Sequence, residues 1–283
     1  MLHQRLPAGR SRFDATMTGM GTLVERRANG PLVILELNDP DRANPLSAEL
    51  VAALDEALRS AADEPAVRAV ILTGAGRHFS AGADLAQLQQ VAEGGSDDRL
   101  RTDSQRLCAL FENLLGHPKL TFAAVHGAAI GGGCGLATAC DIVVAEPGAR
   151  FAYTEVTIGY VPALVLTFLS RRVPGHVARR LLLDPKRIDG ARAVELGVAD
   201  ELAEPGRALD RARELALAMA HKASAAAIAA TKRLLNETAG MDWREALRHA
   251  AEINASHRLH PECIRGVRHF IDHKGTPDWL ADE

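Results

Sequence analysis

From Leu120 to Cys140 the chain runs for 21 residues without a formal charge, long enough on paper to cross a bilayer as a helix. Five glycines (Gly127, Gly131, Gly132, Gly133 and Gly135) and His126 argue against that use. Its first part, Leu120-Thr-Phe-Ala-Ala-Val125, reads as a buried strand. Gly131-Gly132-Gly133 then breaks the run ahead of a short Ala-rich helix ending near Asp141. The segment is therefore a strand, a turn and a helix inside a domain, not a membrane span. At 283 residues and 47% hydrophobic composition, the chain buries a sizeable core without a metal or disulfide staple.

Charge narrows the partners. Lys plus Arg number 33 against 36 Asp plus Glu, a net −3 with no basic run, so no electrostatic footprint points to nucleic acid or to an anionic membrane surface. Cys108, Cys134, Cys140 and Cys263 form no Cys-x-x-Cys pair and suit reduced thiols in a cytoplasmic protein. Arg5, Arg10 and Arg12 precede no long apolar core, so a secretory signal is unsupported. Residues 1–20 read as a disordered extension, with Met17 or Met20 as alternative starts.

The rest of the chain alternates. Thr22-Leu-Val-Glu-Arg26 and Pro31-Leu-Val-Ile-Leu-Glu-Leu37 read as a hairpin around Asn29-Gly30. Ser47 offers a helix cap, and Leu50, Val51, Leu54 and Leu58 line one face before Val67–Leu72 returns to strand. Leu107, Leu110, Phe111 and Leu114 mark a longer amphipathic helix, and Asp141–Ala145 another strand. Strands alternating with helices imply an α/β core over residues 21–205. Beyond Pro205, segments 207–220, 224–238, 243–259 and 262–274 read as four helices, so residues 206–283 form a helical region suited to capping or subunit packing.

Several chemistries lack their residues. Gly74-Ala-Gly76 has no third glycine of a dinucleotide fingerprint, and no phosphate-cradling Gly-Lys-Ser/Thr loop exists. His257 and His260 have no further ligand set, so no metal site is expected. Ser80-Ala-Gly82 is not a nucleophile elbow. Two glycine turns remain, Gly74–Leu85 and His126–Leu136, and each follows a strand. Small residues there let backbone N–H groups point at a ligand oxygen, and two such donors make an oxyanion hole. Tight packing of turn against sheet explains either turn equally well.

Together, Phe79-Ser-Ala-Gly-Ala-Asp-Leu85 and Gly127–Ile142 resemble the crotonase (enoyl-CoA hydratase/isomerase) superfamily. Asn38–Leu46, Phe151-Ala-Tyr-Thr-Glu-Val-Thr-Ile-Gly159 and Arg187–Val198 are similar to further family segments, so the resemblance covers roughly Thr22 to Lys274. It implies a spiral core of ββα units with a helical C-terminal region. It also implies a homotrimer or a dimer of trimers acting on an acyl-CoA thioester. Coenzyme A is then part of the substrate, and no cofactor or metal is needed.

Position by position, the resemblance makes Ala83 and Gly132 the two oxyanion donors and Glu155 the acid/base that exchanges a proton with substrate carbon. A surface or salt-bridging glutamate is the alternative for Glu155. Ala43, Ala81, Gly82, Asp84, Leu85, Gly131 and Gly135 are expected beside the substrate, with Asp84 equally well placed to cap a helix. Lys274 is expected near the nucleotide phosphate or in solvent. The family's hydratases commonly carry a second glutamate where this chain has Gly135. Another polar group or the backbone must then orient water, and Tyr153, Thr154 and Tyr160 are near in the chain but as well explained by packing. The leading expectation is hydration of a 2-enoyl-CoA. The alternatives are a Δ3,Δ2-enoyl-CoA isomerase, for which one carboxylate suffices, and a non-catalytic acyl-CoA-binding subunit.

Overall fold

The computed structural model describes residues 22–94 and 96–281, except the side chain of Leu85; the extension expected over 1–20 lies outside them. Nine strands and eleven α-helices are present among the described residues. Strand β1 (Val24–Asn29) turns back into β2 (Leu32–Leu37), and Asn29 pairs with Leu32. The turn is therefore Gly30-Pro31, one residue later than the Asn29-Gly30 expected from sequence. Gly30 takes the positive φ of 58°, and Pro31, which has no N–H to give a ladder, leaves the strands at that point.

Helix α1 (Ala48–Asp63) starts where Ser47 Oγ accepts the Leu50 N–H at 3.2 Å, and its Leu50, Leu54 and Leu58 are fully buried. Each such leucine contributes about 1.5–3 kcal/mol by leaving water. The chain continues through β3 (Ala69–Gly74), α2 (Leu85–Ala92), α3 (Asp97–Leu115) and β4 (Leu120–Val125). After β5 (Ala128–Ile130) and the buried α4 (Gly132–Thr138) come β6 (Ile142–Ala145) and β7 (Arg150–Ala152). Next are α5 (Ala163–Arg172), α6 (Gly175–Leu183), β8 (Ile188–Asp189), α7 (Gly190–Glu195) and β9 (Glu201–Leu202).

The main sheet runs β1-β2-β3-β4-β6-β9, parallel except for the first hairpin. β3 and β4 are buried along their whole length, as a parallel sheet covered on both faces requires. Val33, Leu35, Val70, Leu72 and Ala123 face α1, α3 and α4 in the larger core. Leu32, Ile34, Ile71, Phe122 and Ala124 face the other way, onto α8 (Ala208–Lys222). Ala208, Ala212 and Ala216 recur every fourth residue on α8, a flat stripe that lets the helix lie close on the sheet.

The remaining helices, α9 (Ala225–Thr238), α10 (Trp243–His257) and α11 (Pro261–His273), agree with the expected segments to within three residues at each end. Arg68, buried at the start of β3, donates to the carbonyls of Ala223 and Trp279 and ties this region to the sheet. No helix among the described residues is long and apolar enough to cross a membrane.

A second, three-stranded sheet, β5-β7-β8, positions the site. Its strands are two or three residues long and carry no periodic pattern to read. The loop after β3 extends it, since Ser80 N–H donates to Ala128 O and Ile130 N–H to Ser80 O, both at 3.0 Å.

Candidate active site

Two glycine turns and one glutamate segment converge at the end of this small sheet. β5 and β7 pair in parallel with Ile130 opposite Ala152, and Gly131 N–H donates to Ala152 O at 2.8 Å. The residues that follow each strand, Gly131-Gly132 and Thr154-Glu155, are thereby neighbours. Glu155 opens a short 3-10 turn (Glu155–Ile158), and a Cβ built on Gly131 would lie 3.2 Å from Glu155 Oε1. Gly131 has φ 54° and ψ −122°, a conformation open to glycine and strained for other residues. It gives the carboxylate its place against bare backbone.

The other turn is locked by a buried side chain. Asn44, fully buried at φ 53°, donates through Nδ2 to the carbonyls of Ala75, His78 and Phe79 and accepts from Asp39 N–H. Ala81 N–H reaches Ala43 O at 2.8 Å, and Ser80 Oγ reaches Asn44 O at 2.7 Å. Gly82 turns the chain at φ 81°, and a Cβ on it would lie 2.2 Å from Ile130 O and 3.2 Å from Gly132 N. The two turns thus touch, backbone to backbone.

At this junction neither the Ala83 N–H nor the Gly132 N–H has an acceptor among the described residues. Gly132 is the first residue of α4, where helical N–H groups lack intrahelical partners. Two unpaired donors at one cleft are equipped to hold an oxygen that gains negative charge. Glu155 Oε2 is buried without a hydrogen-bond partner, and burial pushes the carboxyl above the usual carboxylate range. A carboxyl so placed can both accept a proton and return it.

Two cavities meet here. A largely apolar one of about 210 Å³ is lined by Leu46, Val51, Leu107, Phe111 and Val165, with Asp103 and Arg106 also on its wall. The second is lined by Arg42, Ala43, Ala81, Asp84, Gly131 and Thr154 among others. Ala83, Leu88, Gly132, Glu155 and Tyr160 line both. Asp84 caps α2, accepting from Ala86 N–H at 2.8 Å, and pairs with Arg42 at 3.1 Å. Gly82 lies behind the cleft. Leu85 begins α2, but its side chain lies outside the described residues. Lys274 forms the left-handed cap of α11 at φ 56° and lines neither cavity.

Gly135, expected beside the substrate, lines neither cavity, because it is buried inside α4 under α5 and α3. A Cβ there would lie 2.3 Å from Val165 Cγ1 and 3.4 Å from Phe111 Cζ. The space a side chain would need is filled by α5 and α3. No group of three or more His, Cys, Asp or Glu among the described residues is placed to hold a metal.

The family model described as enoyl-CoA hydratase/isomerase matches residues 27–281. The chain belongs to that family. Among hydratase/isomerase relatives, a Thermus thermophilus protein with a provisional enoyl-CoA hydratase name is 43% identical, covering 86% of this chain and 95% of its own. The short-chain-enoyl-CoA hydratase of Clostridium acetobutylicum is 31% identical, covering 79% and 84%. The carnitinyl-CoA dehydratase of Salmonella arizonae is 33% identical, covering 89% and 95%. Solved structures share the fold. The enoyl-CoA hydratase of Mycobacterium smegmatis superposes with TM-score 0.84 at 29% identity, covering 91% of this chain and 98% of that one. One from Polaromonas gives 0.83 at 32%, covering 90% and 98%. The α/β core expected from the motifs is thus the crotonase fold of the hydratase/isomerase family.

The latching of one turn by Asn44 is not legible in the sequence. The available signal is the residue type, since asparagine tolerates the left-handed region better than most side chains, but nothing local shows which three carbonyls it gathers.

Proposed function

We propose that this hydratase/isomerase family member is a hydro-lyase that adds water across the double bond of a 2-enoyl-CoA. One arrangement carries the reading: unpaired N–H groups of Ala83 and Gly132 on the same cleft as the buried, unpartnered Oε2 of Glu155. The thioester oxygen is held by the two donors, which draws electrons from C3. Water oxygen bonds to C3 while one water proton passes to the Glu155 carboxylate. The π electrons move onto the thioester oxygen as an enolate, and Glu155 then returns the proton to C2. The net change is one H and one OH across the double bond. The acyl chain occupies the apolar cavity and coenzyme A the cavity beside Arg42 and Ala43, so no separate cofactor is required.

One observation favours a second reading. With Val165 filling the space beside Gly135, Glu155 is the one carboxylate common to both cavities among the described residues, enough to move a proton from C2 to C4 as a Δ3,Δ2-isomerase does. Mass-resolved turnover of a panel of 2-enoyl- and 3-enoyl-CoAs separates the two. Gain of one water, lost by about 10²–10⁴-fold in Glu155→Gln, is the expected result. Double-bond migration at constant mass makes the protein an isomerase, and unchanged turnover in the variant removes Glu155 from the chemistry. The exposed Leu235, Leu247, Phe270 and Ile271 of the C-terminal helices, with Leu259 in the turn between two of them, support association with further copies, as a trimer or a dimer of trimers. Molar mass from light scattering checks that.

A further inference from the structure

We infer that Tyr160 is the second polar group of the reaction, the one that orients the attacking water; this rests on the hydratase reading above. Hydration by a single carboxylate leaves a specific gap. Glu155 takes one hydrogen of the water, but the other must also be held if the oxygen lone pair is to point at C3 rather than tumble. The helix position beside the site gives no help, because residue 135 is a glycine with Val165 packed over it.

Of the five residues common to both cavities, Ala83, Leu88 and Gly132 bring no polar side-chain atom, so Glu155 and Tyr160 are the two that do. Their spacing is fixed by the fold. Glu155 begins the 3-10 turn, Gly159 ends it with φ 74°, and the Tyr160 N–H donates back to Glu155 O at 3.0 Å. This closed loop keeps the backbones of the two residues together, and both side chains line the same two cavities. Tyr160 is 46% exposed and lines both cavities, and its hydroxyl makes no hydrogen bond to any described residue. Tyr153 differs on both counts, because it is buried and its hydroxyl meets Thr138 Oγ1 at 3.2 Å inside the core.

The phenol oxygen of Tyr160 accepts the second hydrogen of the water while Glu155 accepts the first. The phenol itself transfers no proton, so the balance of the addition is unchanged: OH to C3, H through Glu155 to C2. Tyr160 would touch the reacting water and counts as a catalytic residue in that sense.

The test is Tyr160→Phe, which removes the oxygen and keeps the ring. Two rates are measured in the intact protein: hydration of a 2-enoyl-CoA, and exchange of deuterium from D2O into C2 of a saturated acyl-CoA, which needs Glu155 and the two N–H donors but no attacking water. The expected result is a fall in hydration kcat of about tenfold or more with KM little changed and C2 exchange retained. Unchanged hydration overturns the inference. An equal fall in both rates also overturns it, since the ring or loop would then be structural. Should the parent protein exchange C2 deuterium yet hydrate no 2-enoyl-CoA in the panel, the hydratase reading itself fails and the inference falls with it, an outcome distinct from the other two.

Discussion

The two glycine turns each present one backbone N–H to the cleft, and they are held by different physics. The turn ending at Ala83 has backbone bonds to Ala43, Ala128 and Ile130 and is latched besides from outside, by the Asn44 side chain that gathers three of its carbonyls. The turn ending at Gly132 is fixed from beneath, by the β5 and β7 ladder and by a buried helix whose Thr138 meets Tyr153. The first should therefore unlatch when one side chain is cut. Among the described residues the second has no such side-chain latch, resting on its strand ladder and buried helix, and should yield mainly to steric intrusion.

The largest expected effect comes where the turns touch. Gly82→Ala places a methyl 2.2 Å from Ile130 O and strains a φ of 81°, so both donors are displaced. Loss of one oxyanion donor typically costs about 10²–10³ in kcat, and at least that fall is expected, with a lowered Tm. Near-parental turnover would mean that the turns move independently. Next is Asn44→Ala, which leaves buried polar groups unpaired and should destabilise by about 1–3 kcal/mol. Amide exchange should speed up over residues 74–84 and stay unchanged over 132–138; equal acceleration in both would break the comparison. Tyr153→Phe is the converse. It removes the buried hydroxyl that meets Thr138 and Cys134, about 1 kcal/mol per bond, and should loosen α4 alone.

The smallest effect is on stability and sharpens the role of the glutamate between the turns. Burial raises the Glu155 carboxyl, so folding favours its protonated form. That contribution is complete below the unfolded-state value and is lost as pH rises through the raised folded value. Glu155→Gln has no such loss. The variant should melt above the parent near neutral pH, with the difference shrinking as pH falls below the ordinary carboxylate range. A difference independent of pH would remove burial of charge as its cause.

Legibility tracks the range of the signal. The leucine spacing and Ser47 mark α1, and the uncharged run ended by glycines marks β4 to the residue, because period and breaker act within a few residues. The hairpin turn lies one residue beyond the strong local Asn-Gly signal, because the ladder runs on to Asn29 and leaves the turn to Gly30-Pro31. The second sheet is illegible as strands. Two or three residues cannot show alternation, and its partners lie far apart in the chain.

For the cleft, sequence by itself determined the inventory: two glycine turns after strands, one glutamate segment, and a glycine at residue 135. Only the tertiary structure decided how those pieces act on one another. It set Gly82 against Gly132, packed Val165 over Gly135, left Glu155 Oε2 buried without a partner, and brought Tyr160 to both cavities. The reason is physical. A linear pattern encodes which faces are apolar and where the backbone turns, whereas close approach, exclusion of water and an unpaired donor are properties of groups distant in sequence, settled only when the core is packed.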